Sequence, residues 1–124
     1  MIPVQRQPEP QDFDQKVRQP GAKFLATVTP PSQWENRDYW RRSLPELYIA
    51  YGGYCAYLAL KIPRRAGGGE PTVDHFLLKS LHPALAYEWN NFRLASAKMN
   101  ANGFEYIFFK DRTFYQDIIR FVLL

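Results

Sequence analysis

Thr72-Val73-Asp74-His75-Phe76-Leu77-Leu78-Lys79-Ser80, then Leu81-His82-Pro83-Ala84-Leu85-Ala86-Tyr87-Glu88-Trp89, then Asn90-Asn91-Phe92-Arg93-Leu94-Ala95-Ser96-Ala97-Lys98-Met99-Asn100-Ala101-Asn102-Gly103 is the stretch whose reading decides the fold. The first piece follows Pro71 and reads as a short β-run. The second is a loop with a helical turn started at Pro83. The third opens strand-like with Asn-Phe-Arg-Leu-Ala and passes into a helix-forming stretch that Gly103 ends. The order is strand, long loop, strand, helix, and the class is α+β. Adjacent strand residues face opposite ways, so Asp74 and His75 share one site only if the backbone bends there. An unperturbed histidine titrates near about pH 6.5, so His75 can accept a proton at neutral pH. Asp74 and an amide oxygen of Asn100 are hard ligands of the kind Mg²⁺ takes. By residue type alone, an adjacent Asp-His is more often a structural hydrogen-bonded pair than a site.

Val73-Asp74-His75-Phe76, Leu85-Ala86-Tyr87-Glu88-Trp89, Asn91-Phe92-Arg93-Leu94-Ala95 and Met99-Asn100 together resemble the HNH endonuclease family. Tyr51-Gly52-Gly53-Tyr54-Cys55-Ala56-Tyr57 is similar to the stretch before the site in bacterial members, where a cysteine often belongs to a zinc knuckle. The resemblance runs from Tyr48 to Gly103. It implies a ββα-metal core, with N-terminal helices packed on it and an irregular N-terminal arm. It implies metal-dependent hydrolysis of phosphodiester bonds in DNA. His75 matches the general base that activates water, and Asp74 the metal-binding acid. Asn91 matches the central Asn that supports the loop and orients the base. Asn100 matches the third position, which binds the metal. One carboxylate and one amide form a thin cage, so Mg²⁺ or Mn²⁺ would keep several waters and take substrate phosphate. Arg93 and Lys98, near the site in sequence, could hold a phosphate or be ordinary surface charge. Two departures stand out. Only Cys55 remains of any knuckle, so no structural zinc is expected, and Asn102-Gly103 replaces the Lys-Gly or similar pair usual after the third position. Small nucleases of this type pair with an ATPase or another larger subunit, or travel with phage, mobile elements or defence systems. The alternative is a catalytically inactive module of the same fold that binds nucleic acid or docks on a partner.

Upstream, Trp40, Leu44, Leu47, Tyr48 and Tyr51 follow helical spacing, which predicts two short helices, roughly 33–42 and 44–51, or one kinked at Ser43. Ser43 and Glu46 read as a capping box with Pro45 in the first turn, and Gly52-Gly53 as the stop. These aromatics read as core rather than a base-stacking platform. Residues 1–31 hold six of the ten prolines and read as an extended arm, with a short turn at 12–17 that docks Phe13 and Val17. Residues 32–124 then form a single domain with its motif core at 72–103. Pro63 to Pro71 is a glycine-rich loop; no Gly-Lys-Ser/Thr follows, so it is no P-loop. His82 reads as structural, held by the turn at Pro83. Downstream, Glu105 to Phe109 reads as a buried strand and Thr113 to Leu124 as an amphipathic helix.

At 124 residues the chain can bury a core without staples. A lone cysteine excludes an internal disulfide and a Cys-only zinc site. No apolar run approaches the roughly 20 residues of a membrane span, and the N-terminus lacks the order of a signal peptide. A cytoplasmic protein, off the membrane, is expected. The net charge of +4 lies entirely in residues 21–65, with seven basic and three acidic side chains. Arg41, Arg42, Lys61, Arg64 and Arg65 are the expected backbone phosphate contacts. Cutting both strands with one site per chain calls for a dimer or two successive nicks.

Overall fold

Phe13 and Val17, four residues apart, are both fully buried, and they anchor a helical segment near the N-terminus. The computed structural model describes residues 7–27, 33–57, 61–64 and 70–97. A π-helical turn, Asp14–Arg18, runs straight into helix α1, Gln19–Thr27. Within the segment expected as an extended arm, residues 14–27 are therefore helical, well beyond the short turn expected at 12–17. Pro20 explains the unusual entry. Proline has no N–H to give the carbonyl four residues back. The amide of Gln19 instead donates to Asp14 O, and the Lys16 carbonyl accepts from the Arg42 guanidinium at 3.0 Å. The prolines at 8, 10 and 20 flank a stretch with no breaker, and Phe13 and Val17 decide its conformation by burial. The boundary expected between residues 31 and 32 lies outside the described residues.

Gln33 to Asp38 is not helical; a 3-10 turn, Tyr39–Ser43, precedes helix α2, Leu44–Ala50. Pro45 sits in the first turn of α2 as expected. The capping box does not form: Ser43 Oγ donates to the Trp40 carbonyl at 2.7 Å, and Glu46 takes the Lys16 ammonium at 2.9 Å. Tertiary ion pairing across to the first helical segment has claimed the Glu46 carboxylate. Gly52 and Gly53, at φ 60° and 80°, turn the chain out of α2.

Strands β1, Pro71–His75, and β2, Phe92–Ser96, form an antiparallel hairpin whose connection carries 3-10 turns at Pro83–Leu85 and Trp89–Asn91. β1 ends at His75, short of the β-run read as far as Ser80. The Ala56 amide donates to the Leu94 carbonyl at 2.8 Å, so the chain after α2 lies along the other edge of β2. The fold is α+β: two helices and a hairpin packed together. The helix expected to run to Gly103, and the strand and helix expected after it, lie outside the described residues, as do residues 65–69 of the glycine-rich loop. Among the described residues no helix is long and apolar enough to cross a membrane.

The core joins these parts through aromatic edges. Phe13 meets Trp89 and Phe92 edge-on at 5.7 and 5.6 Å. Tyr87, 2% exposed, sits among Trp34, Tyr39 and Trp40 and donates its hydroxyl to the Arg37 carbonyl at 2.8 Å. Arg18 ties the first helical segment to the hairpin connection: its guanidinium pairs with Glu88 at 2.9 Å and also reaches Glu9 and Asp14. Those carboxylates hold its pKa above the ordinary arginine value, the Glu9 bond most of all.

Gly21 faces the Tyr87 ring so closely that a Cβ there would overlap it. Gly21→Ala should lower stability by about 1–3 kcal/mol, the usual cost of overpacking a filled core, read from the urea midpoint. Burial pushes the Tyr87 hydroxyl well above the usual tyrosine range. Above about pH 10 the unfolded chain loses a proton that the folded chain keeps, so stability falls as pH rises. Urea midpoints between about pH 9 and 11 should show this fall, and Tyr87→Phe should reduce its slope.

Candidate functional site

The hairpin ladder pairs Asp74 with Arg93 and His75 with Phe92, one after the other with no bulge between. Paired residues share a face, and neighbours alternate. Val73, His75, Phe92 and Leu94 therefore share the face turned to Phe13 and Trp40. Thr72, Asp74, Arg93 and Ala95 share the other. The bend that would bring Asp74 and His75 to one side of the strand is not present in the ladder.

His75 is 7% exposed. Trp40 meets its ring at 4.7 Å and Phe92 at 5.6 Å, both edge-on. Its Nε2 lies 2.9 Å from the Ala86 carbonyl. A carbonyl only accepts, so Nε2 carries the proton and the neutral ring has its basic lone pair on Nδ1. Asn91, 5% exposed, sits at the end of the same connection. Its Oδ1 accepts from the Leu77 amide at 2.8 Å, and its Nδ2 donates to the Leu77 and Leu85 carbonyls, both at 3.1 Å. The Asn91 carbonyl also accepts from the Phe76 amide at 2.9 Å. One side chain thus clamps both ends of the loop that carries Ala86. The structure places the His75 ring on the Ala86 carbonyl and the Asn91 side chain on the adjoining Leu85 carbonyl.

Asp74, 3% exposed, accepts a hydrogen bond from the Tyr57 hydroxyl. Tyr51 lies nearby: burial raises the pKa of its hydroxyl, Arg93 opposes that rise, and Asp74 adds to it. Tyr51, Tyr57, Asp74 and Arg93 form a polar group on the face opposite His75. A buried carboxylate is a hard oxygen donor suited to Mg²⁺ or Mn²⁺, and it fits such an ion as one ligand. Asn100, the second expected ligand, lies outside the described residues. Among those described, no three His, Cys, Asp or Glu side chains are grouped as metal ligands. Cys55 is buried at 3% exposure.

The basic side chains are largely engaged. Arg41 pairs with Asp38 at 3.1 Å. Arg42 holds the Lys16 carbonyl and lies 4.8 Å from the Tyr39 ring centre. Lys61 donates to the Gly52 carbonyl at 2.7 Å, and Arg64 stacks 4.3 Å from the Tyr48 ring centre. Arg93 donates to the Asn90 and Phe92 carbonyls at 2.7 and 2.9 Å and lies over Phe76. Arg65 and Lys98 lie outside the described residues. Lys79 lies 5.5 Å from the centre of the Trp40 ring. His82 is exposed, and its backbone braces the turn at Pro83 by accepting from the Leu85 amide at 3.0 Å.

Compared with known protein families, with curated proteins and with solved structures, the chain matches none.

Three groups at this centre escaped the sequence. Tyr57, two residues past Cys55, carries no motif signature of its own. Trp40 reads as core and is half-buried against it, but its spacing gives no sign that it also wedges His75. The Ala86 carbonyl has no side-chain signature at all. Asn91→Ala would leave a part-buried amide and two carbonyls without this partner. It should cost about 2–4 kcal/mol by urea denaturation and speed hydrogen exchange at the Leu77 amide.

Proposed function

We propose that this chain is a metal-dependent HNH-type endonuclease that hydrolyses phosphodiester bonds in DNA, built on a ββα core. The observation that carries the reading is the hydrogen bond between His75 Nε2 and the Ala86 carbonyl, in a loop clamped by Asn91. That bond fixes the tautomer, so Nδ1 is the atom able to take a proton from water. Asn91 does no proton transfer; it holds the Leu85 carbonyl, one residue before the Ala86 carbonyl that orients the ring. Trp40 and Phe92 stop the ring from swinging. A divalent ion, held by Asp74 and Asn100, would supply positive charge to the phosphate and the leaving oxygen. Tyr57, bonded to Asp74, would orient that carboxylate, as outer-shell partners of metal ligands do.

A second reading, a catalytically silent member of the fold, is favoured by one specific arrangement. Asp74 and His75 leave opposite faces of the hairpin, and His75 is buried among aromatic rings.

A plasmid-nicking assay separates the two. The first reading expects nicking that needs Mg²⁺ or Mn²⁺. It expects His75→Gln, whose amide can still donate to the Ala86 carbonyl, to lower the rate by about 10²–10⁴-fold with the melting curve retained. Nicking by His75→Gln at the wild-type rate sinks the general-base assignment. A folded wild type that never nicks, whatever the metal, selects the silent reading.

A further inference from the structure

Between Glu46 and Glu70 the chain has three basic residues and no acidic one. Two of the three, Lys61 and Arg64, lie on a small aromatic platform. The turn at Gly52 and Gly53 brings the chain back so that Tyr54 and Lys61 pair as an antiparallel bridge. The Lys61 ammonium lies 5.1 Å from the Tyr54 ring centre, and the Arg64 guanidinium lies 4.3 Å from that of Tyr48. Tyr48 donates its hydroxyl to the Ile62 carbonyl at 2.8 Å, and the Ile62 amide donates to the Gly53 carbonyl at 2.7 Å. Gly53 is packed so tightly that a Cβ would come within 2.7 Å of the Tyr48 hydroxyl. The platform is therefore braced by backbone bonds rather than draped over the surface.

Two of its features are costly for a merely structural turn. Tyr54 is 46% exposed, and Ile49 on the neighbouring turn of α2 is 72% exposed. Of the two acidic residues that bound this stretch, Glu46 is taken by Lys16. The amide of Ala56, two residues past Tyr54, is bonded to β2, which ties the platform to the hairpin that carries Asp74 and His75.

The geometry points to a binding platform for single-stranded nucleic acid, on which an unpaired base stacks on Tyr54 while Lys61 and Arg64 contact the flanking phosphates. The exposed Tyr54 ring with Lys61 over it, and Arg64 over Tyr48, fits a partner that offers an open base face next to negative charge. A duplex offers the charge but keeps its base faces stacked inside. The choice of polyanion rests on the nucleic-acid reading above, and the strandedness is what this surface adds.

The test is fluorescence anisotropy with the full chain, a labelled oligothymidylate of about twelve nucleotides and a chelator in the buffer. The single strand should bind more tightly than a duplex of equal length. Tyr54→Ala should weaken it by about tenfold, as for one lost base stack, and Tyr54→Phe should bind as wild type. Replacing Lys61 and Arg64 together by Gln should reduce the slope of log affinity against log salt by about 1.4, two phosphates' worth. No binding of the single strand overturns the proposal. So does an affinity indifferent to Tyr54→Ala in a variant with an unchanged melting curve, or a duplex bound as tightly with the same Tyr54 dependence. Since no cleavage is measured, a chain that never nicks plasmid can still pass, and a nuclease can still fail.

Discussion

The carboxamide of Asn91 is the constraint on which the rest of this arrangement depends. The two strands are short, and the connection between them is long and nearly free of regular structure. Such a loop costs more conformational entropy to order than a tight turn would. Asn91 offsets that cost at the point of closure. It accepts from one backbone amide and donates to two backbone carbonyls, using donor and acceptor sides at once. Aspartate has no donors to give, and glutamine would carry the amide too far out. With Leu77 and Leu85 held, the Ala86 carbonyl stands beside His75, and Tyr87 and Trp89 enter the core.

The aromatic residues do the complementary work. Phe13 reaches the hairpin from the N-terminal helical segment, and Trp40 reaches His75 from the turn before α2. Each large ring brings much apolar area into a small core. Gly21 lets α1 come flat against Tyr87. The ion pairs of Arg18 and Lys16 then fix the first helical segment against the connection and against α2. These pairs are partly exposed, so their worth lies in orientation more than in energy.

Charge shows how differently a composition and a structure speak. Most of the basic excess in residues 21–65 is spent on backbone carbonyls and ring faces. Arg42 completes the helix that Pro20 interrupts, and Arg41 pairs with its own neighbour. Around Tyr48 and Tyr54, Lys61 and Arg64 lie over ring faces, and Tyr54 is exposed.

Legible in the sequence were the two strands, the loop turn at Pro83, the first turn of α2 at Pro45 and its end at Gly52-Gly53. These follow from local rules: fixed φ at proline, positive φ at glycine, and alternation along a strand. The sequence also singled out His75, whose ring can take a proton near neutral pH, and Asn91, through the resemblance to the HNH family. Tertiary structure decided the rest. Residues 14–27, within the proline-rich start, are helical because Phe13 and Val17 find a core, which composition cannot show. Glu46 left its expected cap for Lys16, and Ser43 turned to the Trp40 carbonyl. Whether Asp74 and His75 share a side was decided by the ladder, since the pairing of β1 with β2 keeps the strand straight through both. A backbone carbonyl at the histidine, and a tyrosine at the aspartate, could come only from parts of the chain distant in sequence.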